Sequence, residues 1–329
     1  MTTPDSPLIQ YSGRIDFSDP KAPRFDWPGV SITARFKGNS IGFFLEDGGN
    51  DYDVQLDGKA AAVWVTQPDH NLYTLSGFSN GEHILRVVKR TEALFGTAIF
   101  RGVRLNQGGL LLQPPPQPDR KIEVIGDSYV CGYGDEATTL KCDNLRPYEN
   151  ADKAFGAQAA RALNAEYALV AYSGKGVVRN YGDKHQKSPD PFPTLYSRVL
   201  CHDPNKPWDF SKWIPDAVVI HLGSNDFSTE PKADRKAYID GYKALIREVR
   251  GKYPKAFLYC FATTGWPGFS QYVEQVVKAR RDAGDGRVYF VGYPTIPVGD
   301  LGCDYHPQVK DHQALAEILV PVMKKTLGW

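Results

Sequence analysis

No charge of one sign dominates this sequence. Its 329 residues carry 39 lysines and arginines against 38 aspartates and glutamates, a net charge of +1. No general electrostatic pull toward nucleic acid or an anionic membrane is expected. Long hydrophobic runs are also missing, and none approaches the roughly 18 residues that a membrane-spanning helix requires. The opening residues, MTTPDSPLIQYSG, lack the basic start and apolar centre of a secretory leader. The chain as given therefore fits a cytoplasmic protein, or a secreted one whose leader has been removed. Cysteine is scarce: Cys131, Cys142, Cys201, Cys260 and Cys303. The odd count, without a C-x-x-C, argues against a disulfide scaffold and a cysteine-based metal site, leaves at least one thiol free and leans toward a reducing compartment. H-E-x-x-H and EF-hand spacings are absent, as are internal repeats at solenoid periods.

What is present falls into two rhythms, and 329 residues suit two domains or one large one. Residues 1–112 read as all-β. Short alternating runs at 32–38, 40–47, 51–59, 60–66, 83–90 and 97–105 are divided by turns such as KGNS and EDGGND. This spacing predicts a β-sandwich of jelly-roll type. The run LLQPPPQPDR follows; its prolines continue neither a ladder nor a helix, so 113–120 reads as a stiff linker. From 121 to 329 strand-like runs (121–125, 167–172, 217–222, 256–262, 288–293) alternate with helix-like ones (151–164, 233–253, 271–283, 309–327). That alternation predicts a parallel sheet covered by helices, with ligands bound beyond the carboxyl ends of the strands.

Chemistry gathers at four of those ends: Gly126-Asp127-Ser128, Ser173-Gly174-Lys175-Gly176, Gly223-Ser224-Asn225-Asp226, and Asp304-Tyr305-His306-Pro307 before the last helix. A serine that attacks a carbonyl needs a base, donors for the oxyanion and small neighbours. Ser128 as nucleophile, His306 as base, and the Ser128 and Gly174 amides with the Asn225 side chain as donors would meet all three needs. Taken singly, each has a plainer reading. Ser128 is a helix cap, the glycines are turn residues, Asn225-Asp226 is a turn or cap and His306 is a loop histidine. Asp127 reads as an anchor for its own loop, and His221 as a core residue. Their order at successive strand ends favours the catalytic reading.

These blocks, with GEHILRVVKRTEALFG (81–96) and AYSGKGVVRNYG (171–182), resemble the SGNH (GDSL-type) hydrolases, and more closely the carbohydrate esterase family 2 branch, over nearly the whole chain. The resemblance implies a jelly roll joined to a flavodoxin-like three-layer SGNH domain. It implies Ser128 and His306 as the catalytic pair, and Ser128, Gly174 and Asn225 as the oxyanion hole. It also implies removal of O-acetyl groups from plant polysaccharides or oligosaccharides such as xylan and mannan, including the sugar 6-position, without metal or organic cofactor. One departure stands out. The superfamily places a carboxylate three residues before the histidine, where this chain has Cys303; Asp304 is one residue nearer. Asp304 is either a third triad member or faces elsewhere, leaving a dyad whose histidine is held by a backbone carbonyl, and the dyad is favoured.

Trp266, after the fourth strand, is expected to stack on sugar, with Tyr181 a second candidate. Trp208 and Trp213 lie in the irregular stretch 183–215, which is long enough to be a functional loop. Two other functions compete with the deacetylase: a lipid esterase or thioesterase, and a non-catalytic carbohydrate-binding protein that uses the jelly roll. The expected partner is an acetylated glycan, not nucleic acid or membrane. The sequence does not give the oligomeric state.

Overall fold

Alternation of apolar and polar residues builds the first part of the chain, and a change in its phase shows how. The computed structural model describes residues 1–296 and 301–329, which divide into two compact units. The first contains β1 (Ile9–Ser12), β2 (Arg24–Phe25), β3 (Ser31–Glu46), β4 (Asp51–Leu56), β5 (Lys59–Val65), β6 (Leu72–Lys89), β7 (Ala98–Leu105) and β8 (Leu110–Leu112). All pairings are antiparallel, in the order β2-β7-β3-β6-β4-β5, with β1 and β8 also on β3. The KGNS segment, expected to divide two strands, instead lies inside β3, where pairing with β6 passes from Gly38–Gly81 to Ser40–Ser76 and leaves Asn39 opposite residues 77–80 of β6. Before it the buried side chains are Ile32, Ala34 and Phe36; after it they are Ile41, Phe43 and Leu45. The inward parity changes across this irregularity, so both halves of the strand keep an apolar face inward. The N-terminal half pairs with β1 and β8, and the C-terminal half with β7. One strand thus serves both ends of a jelly-roll sandwich. β6 begins at Leu72, ahead of the expected 83, because Ser76, Gly77, Ser79 and Asn80 conceal its alternation.

This unit comprises residues 1–117 together with 199–206, a return absent from the linear reading of 121–329. The buried Trp27 indole donates to Val199 O (3.1 Å), and the Asp26 carboxylate accepts the Cys201 N–H (2.9 Å).

The second unit, 118–198 and 207–329, runs β9 (Arg120–Gly126), α1 (Ser128–Cys131), α2 (Phe155–Ala162), β10 (Ala165–Ala171), α3 (Pro193–Tyr196), β11 (Ala217–His221), α4 (Ser224–Phe227), α5 (Arg235–Lys252), β12 (Phe257–Thr263), α6 (Ser270–Asp282), β13 (Val288–Tyr293) and α7 (Val309–Leu327). The sheet is parallel, ordered β10-β9-β11-β12-β13. Ile122, Val124, Val219 and Phe261 on one face share a core with Phe155 and Ala159 of α2 and Leu315, Leu319 and Met323 of α7. On the opposite face Tyr242 of α5 hydrogen-bonds Cys260, and α5 packs on α6. The helix starts are legible in the sequence. Asp234 caps α5 by accepting the Ala237 N–H (2.8 Å), and Gln308 and Asp311 form a reciprocal box at the start of α7. The strand order reverses at β9, so the chain leaves it toward opposite sides and opens a crevice at its carboxyl end.

Candidate active site

Ser128 stands at that crevice because the chain turns from strand to helix within two residues. β9 ends at Gly126, where a Cβ would overlap Val130 Cγ2 and lie 2.9 Å from His221 O. Asp127 is extended (φ −113°, ψ −150°) and caps α1, its carboxylate accepting the Tyr129 N–H at 3.3 Å. It is thus the anchor of its own loop. Ser128 is the first residue of α1, and among the described residues no acceptor takes its backbone N–H, as expected for the first donor of a helix.

His306 reaches this serine from across the chain. Its Nε2 lies 2.8 Å from Ser128 Oγ. Its Nδ1 lies 3.0 Å from Cys303 O and 3.1 Å from Asp304 O. Carbonyl oxygens only accept, so Nδ1 carries the proton and the Nε2 lone pair faces the hydroxyl. The Tyr133 ring covers the imidazole, centroid to centroid 4.4 Å. Burial pulls the His306 pKa below 6.5, opposed first by the hydrogen bond to Cys303 O.

The Asp304 carboxylate is engaged elsewhere, accepting the Tyr133 hydroxyl at 2.9 Å. Its backbone (φ 49°, ψ 40°) and that of Tyr305 (φ 64°) are left-handed. The tight turn brings two main-chain oxygens, rather than the carboxylate, to the ring.

The two loops after β10 and β11 are stitched together by a residue that the sequence presents as a turn. Asp226 accepts the N–H groups of Val177 (2.8 Å), Val178 (2.9 Å) and Arg179 (3.0 Å). Burial pushes its carboxyl up to about 7 against those three donors. Beside it, Asn225 Nδ2 donates to Lys175 O (2.9 Å) and, at a long 3.4 Å, to Asp127 Oδ2. Gly174 follows the strand next to β9 and is left-handed (φ 77°); among the described residues nothing accepts its N–H. Behind the site His221 is fully buried. Its Nε2 is 2.7 Å from the Tyr293 hydroxyl, its Nδ1 is 3.4 Å from Asp127 Oδ1, and its ring stacks on Tyr129. The expected core residue therefore also lies against Asp127.

Ser128, Asn225 and His306 open into a cleft of about 490 Å³. Trp266, Tyr181 and Tyr305 line it with 68%, 63% and 61% of their surface exposed. An aromatic that remains uncovered beside a polar crevice is available to a flat ligand face. Tyr305 was missed, although it sits between the two residues singled out in D-Y-H. Trp208, Trp213 and the rest of 183–215 are not among the described lining residues. Also missed was a disulfide joining Cys142 to Cys303. Cys131, Cys201 and Cys260 are buried thiols outside any disulfide, but with two of five cysteines bridged the odd count carries no argument for a reducing compartment.

Known proteins resemble this chain over nearly its whole length. Residues 11–115 match the family described as Carbohydrate esterase 2 N-terminal, and 124–317 the GDSL-like Lipase/Acylhydrolase family. The chain is 38% identical to the Cellulase/esterase CelE of Acetivibrio thermocellus over 99% of its own length, and spans 40% of that protein. It is 29% identical to an Acetylxylan esterase / glucomannan deacetylase of Cellvibrio japonicus, with 94% of this chain and 88% of that one aligned. A family two carbohydrate esterase from Clostridium thermocellum, solved in complex with cellohexaose, superposes with a TM-score of 0.91 at 36% identity, over 98% of this chain and 99% of that one.

Proposed function

The chain belongs to carbohydrate esterase family 2, and from that premise we propose that it is a serine esterase removing O-acetyl groups from plant polysaccharides or their oligosaccharides, xylan and mannan among them, including the sugar 6-position. The observation that carries the reading is the 2.8 Å contact between His306 Nε2 and Ser128 Oγ, with Nδ1 pinned by carbonyls. Ser128 Oγ attacks the acetyl carbon as Nε2 takes its proton. The ring then carries a positive charge that the Cys303 and Asp304 carbonyls face. The oxyanion is held by the amides of Ser128 and Gly174 and by Asn225 Nδ2, which gives up its long contact to Asp127. Collapse of the tetrahedral species returns the proton from Nε2 to the departing sugar oxygen. Water, activated by the same nitrogen, releases acetate from Ser128. Trp266, Tyr181 and Tyr305 form the sugar-binding faces. The related structure solved in complex with cellohexaose supports an oligosaccharide ligand.

The test is acetate release from acetylated xylan, mannan and their oligomers, resolved by position, alongside p-nitrophenyl acetate and octanoate. Positional release with a preference for the acetyl ester is expected. A preference for octanoate points to a lipid esterase. Glycan binding without organophosphate labelling of Ser128 points to a binding protein.

A further inference from the structure

His306 is carried by a turn held partly by its own backbone, the Gly302 N–H donating to His306 O (2.7 Å) and the His306 N–H to Cys303 O (3.0 Å). Asp304 and Tyr305 are consecutive non-glycine residues in the left-handed region, which side chains seldom adopt and which surroundings must enforce. The ties from outside the turn come from one stretch. Leu140 O accepts the Asp304 N–H (2.8 Å), Ala137 O accepts Gln308 Nε2 (2.9 Å) and Asp135 O accepts the Val309 N–H (3.0 Å). At Gly134 (φ 63°) a Cβ would lie 2.8 Å from Cys303 Sγ, so the two segments are in contact there. Yet Thr138, Thr139, Lys141, Asp143 and Asn144 of that stretch are exposed, and 138–145 has no helix or strand. The covalent tie in the cradle is Cys142–Cys303, and its buried end is the residue whose carbonyl faces His306 Nδ1.

We infer that the Cys142–Cys303 bridge is a positioning element for the base, holding the carbonyl that orients His306, so that turnover depends on the oxidation state of this pair. The inference rests on the reading of His306 as the base. A dithiol such as dithiothreitol opens the bridge. The S–S bond breaks, two electrons and two protons leave two thiols, and the reductant closes to its own disulfide. The cradle then keeps only its hydrogen bonds. Misplacement of a catalytic group by about 1 Å costs on the order of 100-fold in rate.

The experiment measures p-nitrophenyl acetate hydrolysis by the whole chain before reduction, after reduction verified by alkylation and mass, and after re-oxidation. It should be run well below the unfolding temperature, with near-UV circular dichroism as the fold control. The expected result is a fall in kcat of about 10- to 100-fold with KM within about twofold. The acid limb of kcat should move up toward 6.5 as the imidazole becomes wetter, and re-oxidation should restore both. The double variant Cys142→Ser/Cys303→Ser should show the reduced behaviour and ignore dithiothreitol. An unchanged kcat and acid limb in the reduced, natively folded protein overturns the inference. So does a loss of kcat that only tracks the loss of the near-UV signal, since the bridge then merely staples the fold. An oxidised protein without esterase activity is a separate result, which refutes the esterase reading itself.

Discussion

The turn that carries Ser128 and the turn that carries His306 solve one problem, fixing a side chain within hydrogen-bond reach, in opposite ways. The serine turn is short, local and central. It leaves a buried strand at Gly126, is capped by its own Asp127 and enters a helix at once. The histidine turn is long-range. Its left-handed residues are held by Leu140, Tyr133 and a bridge to Cys142. A parallel sheet delivers a nucleophile accurately because the strand beneath it is fixed on both sides. A loop delivers a base accurately only where other loops tie it down.

The proposed mechanism needs both turns, so the largest expected effects are catalytic. Ser128→Ala should lower acetate release by at least about 10³-fold, leaving only what binding and the oxyanion donors provide, while the thermal unfolding midpoint stays near that of the parent. Retained release would remove the nucleophile from the picture. Asn225→Ala should cost about 10²–10³-fold in kcat with little change in KM; a change confined to KM would make Asn225 a binding residue.

The serine turn's rigidity is probed by Gly126→Ala. The new methyl meets Val130 and His221 O, and overpacking of this kind costs about 1–3 kcal/mol, read as a lower denaturation midpoint in urea. An unaltered midpoint would mean that the turn is less tightly packed than the histidine loop. The histidine side is probed by pH. In the proposed mechanism the neutral imidazole is the working form, and burial lowers its pKa, so kcat/KM should fall on acidification with a midpoint below 6.5. The same shift has a stability consequence. The unfolded chain takes up the proton first, so the contribution is intact above the ordinary value of about 6.5 and is lost progressively as pH drops beneath it. A midpoint above 6.5 would place a carboxylate, not carbonyls, at the ring.

The smallest effect is expected from Asp304→Asn. Removing a carboxylate that orients a base can cost about 10⁴-fold, but here the carboxylate is on Tyr133, so the loss should be under about tenfold. A loss near the larger figure would restore Asp304 as a triad member.

Much of this was legible in the sequence, for reasons that differ between the turns. Ser128 follows an apolar strand and precedes a helix, so its exposure at a sheet edge comes from local patterning. The parallel sheet was legible too, because five apolar runs alternate with amphipathic ones. Strand β6 was cut short because serines and glycines hide its alternation, and the irregularity at Asn39 resembles a turn.

The sequence by itself determined a β-rich part followed by an alternating α/β part, and the order of the four strand-end blocks, because hydrophobic periodicity and turn chemistry act over a few residues. Only the tertiary structure decided that the Asp304 carboxylate turns to Tyr133, that Cys303 bonds Cys142 and that 199–206 folds with the first unit. Those outcomes join residues up to 190 positions apart, and contacts at such range are chosen by packing of the whole unit, which leaves no local signature.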